Sequence, residues 1–438
     1  MAGQQDLAVS GMTGLKQPSV AVIGGGWAGC TAALTLAEAG ISVTLFEASR
    51  TLGGRARAVE IEGRMLDNGQ HILLGAYEQT LQLIARLNPG KTPENLWRHP
   101  LSLKQPPDFS LACPRLPAPL HLLVGLLSAQ GLSGREKWAA IRWAHALLHN
   151  PRASELQTVS QLTRSQPTTL NRLLWHPLCV SALNTPPEIA SAAVFRDVIR
   201  AAFGGRTHHS DLLLPRRDLT ALLPAPAAAR LIELGGSVRL SSRVSSLEAT
   251  PDAITLHARD ESAIFSHTIV ATAPQHLSGL TASIPALEPL VRDVSSYHYQ
   301  PIATGYVQYD PAFQLTHPLF ALADGPAQFV FDRGQSHGQA GLLAFVASAA
   351  TNLSADWLDQ AEAQLQRIAQ PGSPRWRKSI VEKQATYSCV PNMARPDVCT
   401  AHPRIFLAGD YTAGPYPATL ETATLSGVQS AGALLRQL

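Results

Sequence analysis

The sequence predicts an α/β fold made of two discontinuous domains, one of them built on a parallel sheet. Three observations carry this expectation. Residues 20–23 (VAVI) are wholly apolar and end in Gly24-Gly25-Gly26; a small, apolar stretch and a second apolar run follow, which makes one strand–helix–strand unit in about thirty residues. Strand-like pieces return in the middle and at the end of the chain. Between them, residues from 96 to 224 differ in texture, being rich in Leu, Ala, Trp and Pro.

Taken in order, 20–23 reads as a buried parallel strand. Residues 28–39 read as a helix that stops at Gly40, and 43–46 as a second strand ending at Glu47. Apolar residues at helical spacing mark 136–148 as a helix. The runs 238–247, 253–258 and 263–271 read as successive strands of a meander. A helix is expected over 355–369, a strand over 404–408 and a closing helix over 418–435 that tolerates Gly427 and Gly432. The nucleotide-binding domain is therefore expected from 1–95, 225–285 and 395–438. Residues 96–224 and 286–394 would form an interleaved substrate-binding domain of helices and antiparallel sheet.

Composition narrows the function. The 438 residues are 45% hydrophobic and 15% charged, against about 25% charged in an average globular chain. A disordered polyelectrolyte is excluded, and the sparse charge suggests apolar surface for lipid or an apolar substrate. With 35 basic and 32 acidic residues, net charge +3 and no basic run, nucleic acid is not expected as the main partner. Cys30, Cys113, Cys179, Cys389 and Cys399 show no C-x-x-C spacing. Neither a disulfide framework nor a zinc site is expected, and a reducing, cytoplasmic compartment is. Residues 1–18 lack a basic start followed by an apolar core and read as a short tail rather than a signal peptide. The most lipid-like segment, 116–134, has no Lys, Arg, Asp or Glu but is broken by Pro117, Pro119, Gly125 and Gly131. It falls short of the roughly 20 residues a spanning helix needs. A peripheral contact with the inner face of the membrane, centred on 120–127, and a place in the substrate-domain core are both open for it.

Gly24, Gly26 and Gly29 spell G-x-G-x-x-G between the first strand and its helix. Gly24 permits the tight turn, Gly26 lets a pyrophosphate approach the backbone, and Gly29 lets helix and strand pack closely. The helix N-terminus offers N–H groups and positive dipole to the phosphates. Glu47, 18 residues after Gly29, can accept hydrogen bonds from a ribose diol and disfavours a 2′-phosphate.

The segment Arg50-Thr51-Leu52-Gly53-Gly54-Arg55 resembles the R-x-x-G-G-R of the FAD-dependent amine oxidase and phytoene desaturase superfamily. Residues 268–274 (TIVATAP) resemble that superfamily's A-T-x-P strand end, and Leu407-Ala408-Gly409-Asp410 its late G-D segment. The resemblance implies a Rossmann-like FAD-binding domain of the GR2 type, with Asp410 near the ribityl and pyrophosphate region. It also implies that 417–420 start a helix against the flavin's pyrimidine edge, stabilising negative charge there. The implied FAD-binding set is Gly24, Gly26, Trp27, Ala28, Gly29, Glu47, Gly53, Gly54, Arg55, Val244, Gly409, Asp410, Ala418, Thr419 and Leu420. More narrowly, 67–77 (DNGQHILLGAY), 214–219 (LPRRDL) and Gly409-Asp410-Tyr411-Thr412 with Leu420-Glu421 resemble the squalene-associated FAD-dependent desaturases, the hydroxysqualene dehydroxylases. Tyr411 stands where that family is expected to have Trp, and Gly414-Pro415-Tyr416 departs from its wording.

That resemblance implies reduction of hydroxysqualene to squalene in an apolar pocket, with acid assistance to the departing hydroxyl. His71 and Asp67 are the first candidates for the reacting end: His71 as proton donor, Asp67 orienting it or holding the flavin region through its loop. Tyr77 is a further candidate, with helix packing as its other reading. Arg216 reads as a surface salt bridge and His208-His209 as a solvated pair rather than metal ligands. One dinucleotide fingerprint is present, so the electron source, NADPH or a separate reductase, is open. Two alternatives share the scaffold. One is an oxidative carotenoid or phytoene desaturase or amine oxidase, against which 67–77 argues. The other is a prenyl-lipid binding protein without redox chemistry, like the Rab GDP-dissociation inhibitors, against which the intact flavin residues argue.

Overall fold

A computed structural model describes residues 18–149, 155–258 and 261–438. The segment read as an N-terminal tail lies, apart from Pro18, outside the described residues. The nucleotide-binding part is a five-stranded parallel sheet in the order Ser237–Arg239, Ser42–Phe46, Ser19–Ile23, His267–Val270, Ile405–Leu407. Val20, Ala21, Val22 and Ile23 are all buried, as the central strand of a sheet covered on both faces requires.

The first helix, Trp27–Glu38, covers one face and lies against the closing helix, Leu420–Leu435. Gly427 makes this contact close: a Cβ there would stand 2.4 Å from the carbonyl oxygen of Ala28. Gly427 is thus a contact point between helices, where the sequence suggested only a tolerated glycine.

Two of the expected meander strands each prove to be two strands in different sheets. Ser237–Arg239 joins the parallel sheet, and Val244–Ala249 opens the antiparallel meander with Ile254–Ala258 and Glu261–Phe265. The break falls at Ser241, in left-handed backbone, where Ser241 and Ser242 donate their N–H groups to Ser49 and Glu47. The run 263–271 breaks at Ser266. Its hydroxyl donates to the Ser19 carbonyl (2.7 Å) and accepts from the Ser19 N–H (3.1 Å), pinning the crossover to the start of the central strand.

The other large sheet is antiparallel, in the order Leu319–Ala321, Phe329–Asp332, Leu342–Ser348, Tyr299–Gln308, Trp376–Tyr387. The two-residue period of its strands divides two jobs. Val307, Val330, Leu343 and Phe345 pack with Trp357 and Leu365 of the helix Trp357–Gln366, while Leu319, Phe331 and Val346 face the opposite way. Helices Leu120–Ser128, Gly134–His149, His176–Leu183 and Ala192–Phe203 form the insert, and Leu147, Cys179, Leu183, Phe195 and Ile199 share a core with Ala21, Ile23 and Phe46 of the parallel sheet. The strand Leu212–Pro215 pairs with both Leu73–Leu74 and Leu96–His99, and so ties the loop after Asp67 to the helical insert.

Candidate functional site

One cavity of about 1040 Å³ runs from the glycine turn to the faces of the helices and the antiparallel sheet. At its polar end Gly24 has φ +108°, and a Cβ there would lie 2.6 Å from the carbonyl oxygen of Ala271. A Cβ on Gly29 would lie 1.8 Å from the carbonyl oxygen of Gly24. Gly26 differs, since a Cβ there would meet only Gly54 Cα, at 3.9 Å, and Gly26 lines the cavity. Trp27 and Ala28 also line it, and no side chain caps the first helix. Glu47 sits across the turn, its carboxylate accepting from the N–H groups of Gly25 and Ser49 at 2.7 Å each. A ready phosphate cradle beside a carboxylate with acceptor capacity left over fits the dinucleotide part of FAD.

Gly53 and Gly54, both with positive φ, carry the chain past the same turn, Gly53 N–H donating to the Gly25 carbonyl. Arg55 follows and bonds Asp410 Oδ1 and the Ala385 carbonyl, each at 2.6 Å. Burial opposes its charge, but Asp410 and Glu382 hold its pKa above the ordinary value. Gly409 is fixed by its N–H to Ser426 Oγ, and Thr419 caps the closing helix by accepting from Thr422 N–H at 3.1 Å. Val244, Ala418, Thr419 and Leu420 line the cavity with Gly409 and Asp410. Tyr411, in the position where Trp was expected, is fully buried in the core instead. Glu421 has a role the sequence did not suggest: its two oxygens accept from Gln79 and Thr80 N–H, capping the helix Glu78–Leu87.

The loop after Asp67 forms the middle of the cavity. His71 faces it, with Nδ1 2.8 Å from the Gly69 carbonyl. A carbonyl only accepts, so Nδ1 carries the proton and the neutral ring leaves Nε2 bare. Burial is the main influence on His71 and pushes its pKa below the usual range. At neutral pH His71 therefore accepts a hydrogen bond through Nε2, and it donates a proton there only once the imidazolium forms.

Of the two roles expected for Asp67, orienting His71 requires a correction. Asp67 is outside the cavity lining and makes no hydrogen bond to His71 among the described residues. It is 2% exposed and accepts from Leu219 N–H (2.8 Å) and from Arg333 (3.1 Å). The same guanidinium nitrogen donates to Gln70 Oε1 at 2.8 Å, Arg333 Nε donates to Gln339, and Tyr306 donates to the Asp67 carbonyl. Asp67 and Arg333 thus fix the loop that presents Gln70 and His71. Burial raises the Asp67 pKa against the opposing pull of Arg333.

Tyr77 lines the cavity just before the helix Glu78–Leu87, its ring 6.3 Å from that of Tyr416 in an edge-to-face contact. Burial raises its pKa, so it stays protonated. Arg216 is exposed, and His209 is largely buried, 3.1 Å from Glu78 rather than solvated.

Several cavity residues were not anticipated. Asn68, inside the quoted motif, donates to the Arg55 carbonyl (3.2 Å) and to Glu382 Oε2 (3.1 Å). Asn184, left-handed at a helix end, donates to Thr386 Oγ1. The apolar remainder comes from Leu178, Ala182 and Phe203 on the helices and from Ile302, Leu319, Phe329, Phe331 and Val346 on the sheet. The strand alternation was the available signal for the sheet residues; Glu382 had none. No helix among the described residues is long and apolar enough to cross a membrane.

Known proteins share this arrangement. The pattern of the flavin containing amine oxidoreductases matches residues 27–435. A hydroxysqualene dehydroxylase of Sinorhizobium fredii is 25% identical over 436 residues, covering 96% of this chain and 99% of that protein. A 15-cis-phytoene desaturase of Narcissus pseudonarcissus is also 25% identical, covering 94% of this chain but 78% of its own length. Among solved structures, a cofactor-binding redesign of putrescine oxidase superposes with TM-score 0.72 at 17% identity, covering 96% of this chain and 99% of that one.

Proposed function

The chain belongs to the flavin containing amine oxidoreductase family and is an FAD-dependent oxidoreductase, and from this premise we propose that it reduces hydroxysqualene to squalene. The observation that carries the reading is the continuous cavity in which a dinucleotide cradle leads, past His71, to a wall of Phe, Leu, Ile and Val side chains. A C30 hydrocarbon with one hydroxyl needs such a site: apolar throughout, with a polar group at one point. Hydroxysqualene dehydroxylases of three organisms, each 25–26% identical over nearly the whole chain, support it, and the segment 67–77 favours it over the desaturases.

Bound reduced FAD supplies the hydride that replaces the hydroxyl. The residues of the chain do the rest. Nε2 of His71 takes up the substrate hydroxyl, and as imidazolium it protonates the oxygen, which leaves as water when the allylic C–O bond ionises. The apolar wall keeps competing water from the cation. The bound flavin would need an external donor, NADPH or a separate reductase, to supply its electrons.

The test is anaerobic. Photoreduced holoprotein mixed with hydroxysqualene in detergent is expected to regain its oxidised flavin spectrum with one squalene per flavin. Flavin that stays reduced, or phytoene desaturated by the oxidised protein, would overturn the assignment in favour of the oxidative reading. His71 gives a second expectation. Its pKa lies below the ordinary histidine value, so the imidazolium fraction grows as pH falls, and the rate of the chemical step should rise toward acid. His71→Gln should flatten that limb and slow the step by about 10²–10⁴-fold. An unchanged pH profile in the variant would remove His71 from the proton transfer.

A further inference from the structure

The helix Leu120–Ser128 has two apolar faces. Leu122 and Leu126 point inward and pack against the core of Phe109, Leu111 and Cys113, on which Leu101 and Leu103 of the cavity wall also pack. Leu120, Val124 and Leu127, at i, i+4 and i+7, point outward and are exposed, together with Leu116 just before them. Trp138, on the neighbouring helix Gly134–His149, is 59% exposed. Lys137 joins the two helices by donating to the Leu127 carbonyl. The segment 116–134 has no ionisable Asp, Glu, Lys or Arg, yet its border is basic. Arg115 precedes it, and Arg135 and Arg142 flank Trp138 at helical spacing, all three at least partly exposed. Of the acids beside the segment, Glu136 is turned onto Ser133 as a helix cap, and Asp108 is exposed next to Gly131 at its far end.

We propose that this face docks on an anionic lipid bilayer, with the leucines and Trp138 entering the headgroup boundary and the arginines meeting lipid phosphates. An apolar stripe with an aromatic anchor and a cationic rim is the pattern of a helix lying in the membrane interface. The like-charged rim of Arg115, Arg135 and Arg142 opposes pairing with a second copy and favours an anionic surface. The placement also has a consequence for substrate. The helix packs on the strand Phe109–Ala112, whose hairpin partner Ser102–Gln105 carries Leu103 of the cavity wall. The purpose of the docking rests on the lipid-substrate reading, but its test does not.

FAD-loaded full-length protein is floated with phosphatidylcholine vesicles, with and without phosphatidylglycerol. Flotation with the phosphatidylglycerol vesicles, weakened by salt, is expected. Replacing Leu120, Val124 and Leu127 together by Glu should lower the partition coefficient by about a hundredfold with the flavin spectrum unchanged. Arg115→Glu with Arg135→Glu and Arg142→Glu should lose the preference for phosphatidylglycerol, which guards against a triple variant that misfolds. Wild-type protein that does not float, arginine replacements without effect, or a wild-type dimer that the Glu variant converts to monomer would each overturn the proposal. Protein that floats but leaves hydroxysqualene untouched would overturn the substrate reading alone.

Discussion

Gly26→Ala is expected to give a folded protein that binds FAD far more weakly, whereas Gly29→Ala should fail at the level of the fold. The added methyl group is the same; what it meets differs. At Gly29 it would stand 1.8 Å from the Gly24 carbonyl oxygen. The first helix would have to move off the central strand, at a cost of about 3 kcal/mol or more, read as a lower melting temperature of the apoprotein. At Gly26 nothing in the protein lies closer than 3.9 Å, and the methyl projects where the cavity begins. The apoprotein should melt as the wild type does. FAD affinity should fall by roughly a hundredfold, as a close phosphate contact is lost. Titration of both apoproteins with FAD, followed by flavin fluorescence, separates the two outcomes. Wild-type affinity in Gly26→Ala would mean that the phosphates pass elsewhere.

This contrast marks what local sequence can express. The glycine turn, Glu47 and the start of the closing helix are legible because each is set by neighbours within a few residues: a strand before, a helix after, a carboxylate at the end of the next strand. The strand boundaries at Ser241 and Ser266 were not, because apolar alternation runs straight through them. Only the partners, Ser49, Glu47 and Ser19, decide that the chain leaves one sheet for the other. Asp67 was legible as important, and of the two roles expected for it the structure shows the hold on its loop and not a hydrogen bond to His71. The neighbour of Asp67 in sequence is His71, but its partner in space is Arg333, 266 residues away. Glu382 illustrates the same limit. It lies in a long strand of alternating exposure, and nothing within that strand distinguishes it from the carboxylates that face solvent.

Replacing Arg333 by Met should cause a large loss of stability. The Arg333 side chain is 1% exposed and its partner Asp67 2%. Taking the pair out of water is costly, so the pair itself is worth little net, but removing Arg333 leaves the buried Asp67 facing only His337, whose Nε2 lies 3.8 Å away and which burial keeps neutral. That costs about 3–5 kcal/mol. The pH dependence identifies the cause. Burial already raises the Asp67 pKa with Arg333 in place; without the guanidinium the carboxyl rises further. The folded state then binds a proton that the unfolded state, titrating near the ordinary Asp value, does not. Stability of the variant should therefore fall as pH rises above that ordinary value and recover as pH is lowered from 8 toward 5. Adding Asp67→Asn should remove that slope and restore part of the loss, whereas a packing defect alone would show neither effect. Arg333 also donates to Gln70, so the loop that presents His71 loses two anchors at once. Turnover by the double variant should stay depressed even where stability returns. The amide that replaces the Asp67 carboxylate can still accept from Leu219 N–H, but no cation remains to set Gln70. A double variant with full stability and full turnover would show that Arg333 serves the fold alone; full stability with slow turnover would make it a positioning residue of the site.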